Sequence, residues 1–354
     1  MRKMTSTHSL FGSVAFLALI GWAWGEPAPY LRATDDKDGG RILQVASRTL
    51  VSPKEDGPRV TLLGVSHLGD SAYYEKIQKR LDAADLVLFE GVGFGDEGSP
   101  KKKEEAESNA VSELQLSLAR SMGLVFQMEA IRYDRPHFRN SDISPEALLT
   151  RLQGGPLKFP GKGKDDSGGK GDSRGKGGLA EKDGNPGKVE KGNFQSREFM
   201  KALSGNSFVF NFLGKALNFF GKDPKFRAMM KLAIVEMLGA IEGDVTRLAK
   251  ASGPGMEKFM RVLLEDRNAI VFRDLRKVLK GKNPPDSIVV FYGAAHMPDL
   301  ENRLVKKLGF QPDEDEWLAA FGVNPKKAGL SAFEVGLVRK MIRMQIQKIT
   351  KQGK

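Results

Sequence analysis

The sequence predicts an α/β protein: a mixed, largely parallel sheet flanked by helices, with a helical subdomain and two Gly-x-x-His motifs at strand ends. Three observations predict it. Residues 59–67 (RVTLLGVSH) and 287–296 (SIVVFYGAAH) each carry an apolar run without alternation that ends in Gly-x-x-His. Runs of this kind belong to strands covered on both faces, which is the situation inside parallel sheets. Between the first motif and the next apolar run, residues 85–90 (DLVLFE), lies a segment with helical spacing, so the three pieces read as strand, helix, strand. In open α/β sheets ligands gather beyond the carboxyl ends of parallel strands, where His67 and His296 would project.

Taking the chain in order, residues 1–25 read as a cleaved export signal. They have a basic start at Arg2 and Lys3, an apolar run over residues 10–20, and small residues at Ala23 and Gly25. The apolar run is shorter than the ~20 residues a membrane span prefers. The expected location is therefore periplasmic or secreted, with membrane association as the alternative. The chain has no cysteine, which excludes disulfides, thiolate ligands and lipid-modified cysteine. Any metal must then be held by His, Asp or Glu. The formal net charge of +12 comes largely from a Gly/Lys stretch and the C-terminal tail, without interleaved aromatics, so nucleic acid is not an expected partner.

Residues 26–153 read as the first α/β part. Within it, residues 42–51 pair as a hairpin with the Val60 strand across a Pro53 to Pro58 turn. Asp70 or Ser71 caps a helix that carries Tyr73, Ile77, Leu81 and Ala84 on one face. A right-handed crossover then brings Glu90, at the end of the next strand, to the same sheet edge as His67. Residues 91–105 form a glycine- and lysine-rich loop. Val111, Leu114, Leu118 and Met122 mark a helix ended by Gly123. Residues 124–131 read as a strand and residues 132–142 as a charged turn containing His137. Ser144-Pro145-Glu146 is a helix start with a capping hydroxyl and proline in the first turn.

Residues 154–195 are dominated by Gly, Lys, Asp and Ser and read as a flexible insertion, too poor in apolar residues to offset the entropy of ordering. Residues 196–282 form the helical part, interrupted at Asp223-Pro224 and Gly253-Pro254. Its last helix has an apolar row, Met260, Leu264, Val271, Leu275 and Val278, completed by Arg267. A guanidinium on such a stripe requires an anion. It either points into the site or forms a structural ion pair. Residues 283–322 return to α/β pattern, with a last strand and a short helix containing Trp317. Residues 323–354 form a basic tail helix in which Phe333, Leu337, Met341, Met344 and Ile349 alternate with Arg339, Lys340, Arg343 and Lys348. This stripe suits an anionic membrane surface, or a helix docked on the domain.

The ordered set Gly64-Val65-Ser66-His67, Glu90, Glu265-Asp266-Arg267-Asn268 and Gly293-Ala294-Ala295-His296 resembles the TraB/PrgY/GumN family, relatives of the Tiki proteases. The segment at residues 122–142 (MGLVFQMEAIRYDRPHFRNSD) is similar to the middle of bacterial members. The resemblance covers roughly residues 42–320 outside the insertion. It implies an α/β fold with the two Gly-x-x-His elements around one site and, for the Tiki branch, metal-dependent peptidase activity. By residue match His67, Glu90 and His296 take the site positions and Arg267 that of the family arginine.

The residues support a compatible chemistry. Two imidazoles and a carboxylate can hold a divalent ion such as Mn, Co or Zn, with an open position for water whose pKa falls from ~16 to about 7. Glu90 is either a ligand or the general base. Arg267 would stabilise developing negative charge or orient a substrate carboxylate. His137 is a candidate accessory ligand or proton shuttle, or else a packing histidine. The expectation is a metal-dependent hydrolase acting on a peptide or protein. The rivals are a non-catalytic protein binding peptide, haem or metal in the same cleft, and a membrane-associated regulatory scaffold.

Overall fold

In the computed structural model, residues 27–92, 110–157, 221–241 and 254–352 are described. The expected export signal at residues 1–25, most of the 91–105 loop, the greater part of the expected 154–195 insertion and residues 208–220 of the expected helical part lie outside them.

The strands are β1 (Leu31–Asp35), β2 (Arg41–Val51), β3 (Arg59–Val65), β4 (Leu68–Gly69), β5 (Leu86–Phe89), β6 (Val125–Phe126), β7 (Phe138–Asn140), β8 (Ser287–Gly293) and β9 (Gln311–Val323). Seven of them form one sheet, while β4 and β6 pair separately. β3, β8, β5 and β7 are mutually parallel neighbours in that order. β2 runs antiparallel to β3, and its other edge carries β9 along its whole length. β5 and all of β8 beyond Ser287 are buried, as an apolar run without alternation requires of a strand covered on both faces. The mixed, largely parallel sheet flanked by helices is thus the architecture of the chain.

The hairpin from β2 to β3 forms as the sequence predicts, with Ser47 opposite Leu63 and Val51 opposite Arg59. Helix α1 (Ser71–Asp82) buries Tyr73, Tyr74, Ile77 and Leu81. Helix α2 (Ala110–Met122) stops where Gly123 adopts a left-handed φ of 64°. Three expectations need correction. Residues 124–131 are not one strand. After the two residues of β6 the chain turns into the short helix α3 (Gln127–Ala130), because the Gln127 N–H donates to the His67 carbonyl at 2.9 Å and ends the extended run. The charged turn at 132–142 contains the parallel edge strand β7, whose three residues are too few to show periodicity. Trp317 lies in β9 and not in a helix, since the outer edge of β2 needs a partner and β9 supplies it over the full register from Arg41 to Val51. The Arg32 guanidinium stacks 3.9 Å from the Trp317 ring centroid.

Helix α4 (Pro145–Leu152) starts as predicted, with Ser144 Oγ accepting the Ala147 N–H at 3.2 Å. Both predicted interruptions are helix starts with proline first: α5 (Pro224–Ile241) and α6 (Pro254–Arg261). α6 runs through a π-turn (Val262–Asp266) into α7 (Arg267–Leu279). β8 leads through a single 3-10 turn (Ala294–His296) into α8 (Met297–Leu308), and α9 (Ala332–Gln352) closes the described chain.

One consequence of this topology decides the site. β8, from late in the sequence, inserts between β3 and β5, with Val65 level with Gly293 and Phe89 level with Phe291. The segment after β8 is therefore flanked on one side by the segment carrying His67 and on the other by Glu90.

Candidate functional site

The three strand ends meet at Gly293. A Cβ on this residue would stand 3.3 Å from Glu90 Oε2, 3.4 Å from His67 Nε2 and 3.7 Å from His296 Cδ2, so the missing side chain leaves a small cradle between them. The Gly293 N–H donates to Glu90 Oε2 at 2.7 Å, and the Glu90 N–H donates to the Phe291 carbonyl at 3.0 Å. Gly64, in the first motif, serves a different need. A Cβ there would meet the Ala46 carbonyl oxygen at 3.0 Å and Val45 Cγ1 at 3.1 Å, so its absence lets β2 approach.

The two histidines are held in the same way by side-chain amides. His67 Nδ1 lies 2.8 Å from Gln127 Oε1, and Gln127 Nε2 donates to the Tyr133 hydroxyl at 2.9 Å. His296 Nδ1 lies 2.7 Å from Asn268 Oδ1, while Asn268 Nδ2 donates to the Asp299 carboxylate at 2.8 Å and to the His296 carbonyl at 3.1 Å. An amide oxygen only accepts, so each imidazole donates from Nδ1, and in the neutral ring the lone pair is on Nε2. The assignment for His296 is the more constrained, because a carboxylate fixes which end of Asn268 is the NH2. His67 is exposed and His296 only 4% exposed, so one ring stands at the mouth of the site and the other at its floor. His296 Nε2 is 3.7 Å from Glu90 Oε1. Burial lowers the His296 pKa from 6.5 to about 4 against the opposing pull of Glu90, so the ring is neutral at pH 7.

Behind Glu90 is a buried charge network. Arg267 Nη2 donates to Glu90 Oε1 at 2.6 Å, and the same guanidinium grips Asp142 through Nε to Oδ1 at 2.9 Å and Nη2 to Oδ2 at 2.6 Å. Asp142 also accepts the Gly91 N–H at 3.0 Å and the Ile143 N–H at 2.7 Å, and its side chain is fully buried. Burial alone would raise the Glu90 pKa. Arg267, assisted by His296, His67 and the Gly293 N–H, outweighs it and holds the carboxylate well below its usual range. The guanidinium is thus committed to two carboxylates, and its position is that of a group fixing Glu90 in its ionised form.

A π-turn immediately precedes Arg267. Its extra residue shifts the register of the helix, and the next two residues, Arg267 and Asn268, are both buried, at 8% and 0% exposure. Within α7 itself Arg267 lines up with Val271, and Asn268 with Phe272 and Leu275, all of them buried, so ordinary helical spacing puts both residues on the packed side.

Of the predicted site residues, His67, Glu90, Arg267 and His296 are brought together. His137 is not among them. Its carbonyl accepts the Val87 N–H, which puts it before β7 at the opposite end of the sheet from Glu90, and its Nε2 lies 3.0 Å from the Leu81 carbonyl oxygen with its ring edge-on to Phe138. It is a packing residue. Sequence reasoning missed Asp142, Gln127 and Asn268. Gln127 left a signal, as a polar residue inside the apolar run VFQM, and so did Asn268, four and seven residues before the apolar Phe272 and Leu275, whereas Asp142 left only its nearness to other charged residues.

Chemically, the site offers two imidazole Nε2 atoms beside an ionised carboxylate around a cradle. Donor chemistry of this kind suits a divalent ion, although both oxygens of Glu90 already accept hydrogen bonds. Among the described residues no group of three or more His, Asp or Glu side chains is placed to hold a metal ion. Comparison of the chain with protein-family models, with curated proteins and with solved structures gives no match in any of the three.

Proposed function

We propose that this chain is a hydrolase, of the metal-dependent peptidase type, in which water is activated between His67 and His296. The observation that carries the reading is the matched pair of amide clamps. Gln127 and Asn268 both hold Nδ1, which leaves both Nε2 atoms available, that of His67 beside the Gly293 cradle and that of His296 3.7 Å from Glu90 Oε1, and fixing the far nitrogen through an acceptor is how metal-binding histidines are oriented. His67 and His296 would hold a divalent ion through Nε2, with Glu90 as the acidic neighbour. That ion would supply Lewis acidity and a lowered pKa for water. Glu90 is too weak a base, in the grip of Arg267, to take a proton readily. Its part is to present fixed negative charge beside the two rings, and Arg267 and Asp142 position it. His67, the exposed one of the two rings, is the one a peptide-type substrate would meet first. The resemblance to the TraB/PrgY/GumN family supports the same reaction class.

A second reading is favoured by the engagement of both Glu90 oxygens: a histidine base activates water with no metal between the rings. One experiment separates them. Metal content of the purified chain is compared with that of His67→Ala/His296→Ala, and peptide-library hydrolysis is measured with chelator and with added Mn, Co or Zn. Near-stoichiometric metal and chelator-sensitive hydrolysis, both lost in the folded double variant, support the first reading. Chelator-resistant hydrolysis lost in the same variant supports the second. A folded wild-type chain that hydrolyses no peptide under any of these conditions overturns the peptidase proposal.

A further inference from the structure

Helix α9 is apolar on two opposite faces, and the fold covers only one of them. Val335 and Val338 pack against Ala228 and Leu232 of α5, and Arg339 Nε donates to Glu236 of α5 at 2.7 Å. On the other side Phe333, Leu337, Met341 and Met344 follow one another at spacings of four, four and three, which keeps them in one stripe. They are 78%, 44%, 57% and 50% exposed, and they are four of the six large apolar side chains exposed among the described residues. Burial of the opposite face shows that the helix is docked in its final position, so the stripe is not waiting to fold inward. An apolar stripe of this size on one helix marks a contact surface.

Charge identifies what the surface contacts. From Asn324 to Lys354 there are eight Lys or Arg and one acid, Glu334. That acid is used at the helix start, where its Oε2 accepts the Ser331 N–H at 2.7 Å and its own N–H is capped by Ser331 Oγ at 3.2 Å. Lys340, Arg343 and Lys348 border the apolar stripe with no acid among them. Long basic side chains beside Phe, Leu and Met let the apolar groups enter the acyl boundary while the cationic ends reach headgroup phosphates. No helix among the described residues is long and apolar enough to cross a membrane, so the arrangement is one that lies on a surface.

We propose that the outward face of α9 docks the protein on an anionic lipid surface, with Phe333, Leu337, Met341 and Met344 inserted and Lys340, Arg343 and Lys348 on the headgroups. The inference stands on the helix alone and does not depend on the chemistry of the cleft.

The absence of cysteine gives a clean test. The full chain carrying Met341→Cys, labelled with an environment-sensitive fluorophore, is titrated with vesicles of phosphatidylcholine or of phosphatidylcholine with phosphatidylglycerol. Lys282→Cys, an exposed position just beyond α7, serves as the comparison. The expected result is a blue shift at Met341→Cys on the anionic vesicles only, none at Lys282→Cys, and binding at least about tenfold weaker in Lys340→Glu/Arg343→Glu and at high salt. A blue shift without vesicles that grows with protein concentration would assign the face to a second copy of the chain. That outcome, a shift indifferent to lipid charge, or no shift at either position would each overturn the proposal.

Discussion

The Asp142 carboxylate, which no sequence pattern singles out, is expected to hold the site together, and Asp142→Asn tests this with almost no change of shape. In the wild type each carboxylate oxygen accepts two N–H groups: Oδ1 those of Arg267 Nε and Ile143, Oδ2 those of Arg267 Nη2 and Gly91. Whichever way an amide is turned, its NH2 faces two donors. The variant therefore loses a charge-assisted bond and a backbone acceptor, and leaves Arg267 buried with Glu90 as its one remaining carboxylate. Charge-assisted bonds contribute about 1.5–3 kcal/mol each, and breaking a buried ion pair from one side costs about 3–5 kcal/mol. We expect Asp142→Asn to lose about 3–5 kcal/mol, read as a fall of roughly 1–2 M in the urea midpoint. The exposed pair of Lys327 with Asp38, both about two-thirds exposed or more, is the contrast, and Lys327→Gln should shift stability by no more than about 0.5 kcal/mol. Asp142→Asn/Arg267→Met should lose clearly less than the two single variants added together. A loss below about 1 kcal/mol in Asp142→Asn, or strict additivity in the double variant, would refute the reasoning.

Three further outcomes follow from the same geometry. Gly293 has φ −50°, which alanine adopts freely, so Gly293→Ala should unfold within about 1 kcal/mol of the wild type while losing hydrolysis or metal, because its Cβ fills the cradle; circular dichroism melting with metal analysis checks both halves. Under the metal-dependent reading proposed above, Asn268→Leu should weaken metal binding roughly 10- to 100-fold by freeing the His296 ring to turn, measured by competition with a chelating dye. In the presence of chelator, acid should destabilise the fold. His296 titrates near 6.5 when unfolded and at about 4 when folded, so its contribution is complete above about pH 6.5 and falls as pH drops toward 4, by up to roughly 3 kcal/mol. Glu90, held below its ordinary 4.5, adds a loss in the same direction at lower pH, and urea midpoints across this range check the sign.

Much of this protein is legible along the chain because the signals involved are local. An apolar run covered on both faces, a proline in a first helical turn and a glycine at a helix end are set by a few neighbouring residues, and β3, β5, β8, α4, α5 and α6 all form where such signals stand. So does the clustering of His67, Glu90 and His296, because strand ends in a parallel sheet share one edge. What only the tertiary structure decided depends on distant segments. β8 enters between β3 and β5, and only then does Gly293 face both His67 and Glu90. Asn268 falls on the buried row of Phe272 and Leu275, but only the packing of α7 against the turn after β8 brings its amide to His296. Asp142, Gln127 and β7 are specified by the partners they meet: a buried guanidinium, an imidazole and an open strand edge. A short polar segment has no periodicity of its own, and the free energy that fixes it comes from burial against residues that the sequence places tens to hundreds of positions away.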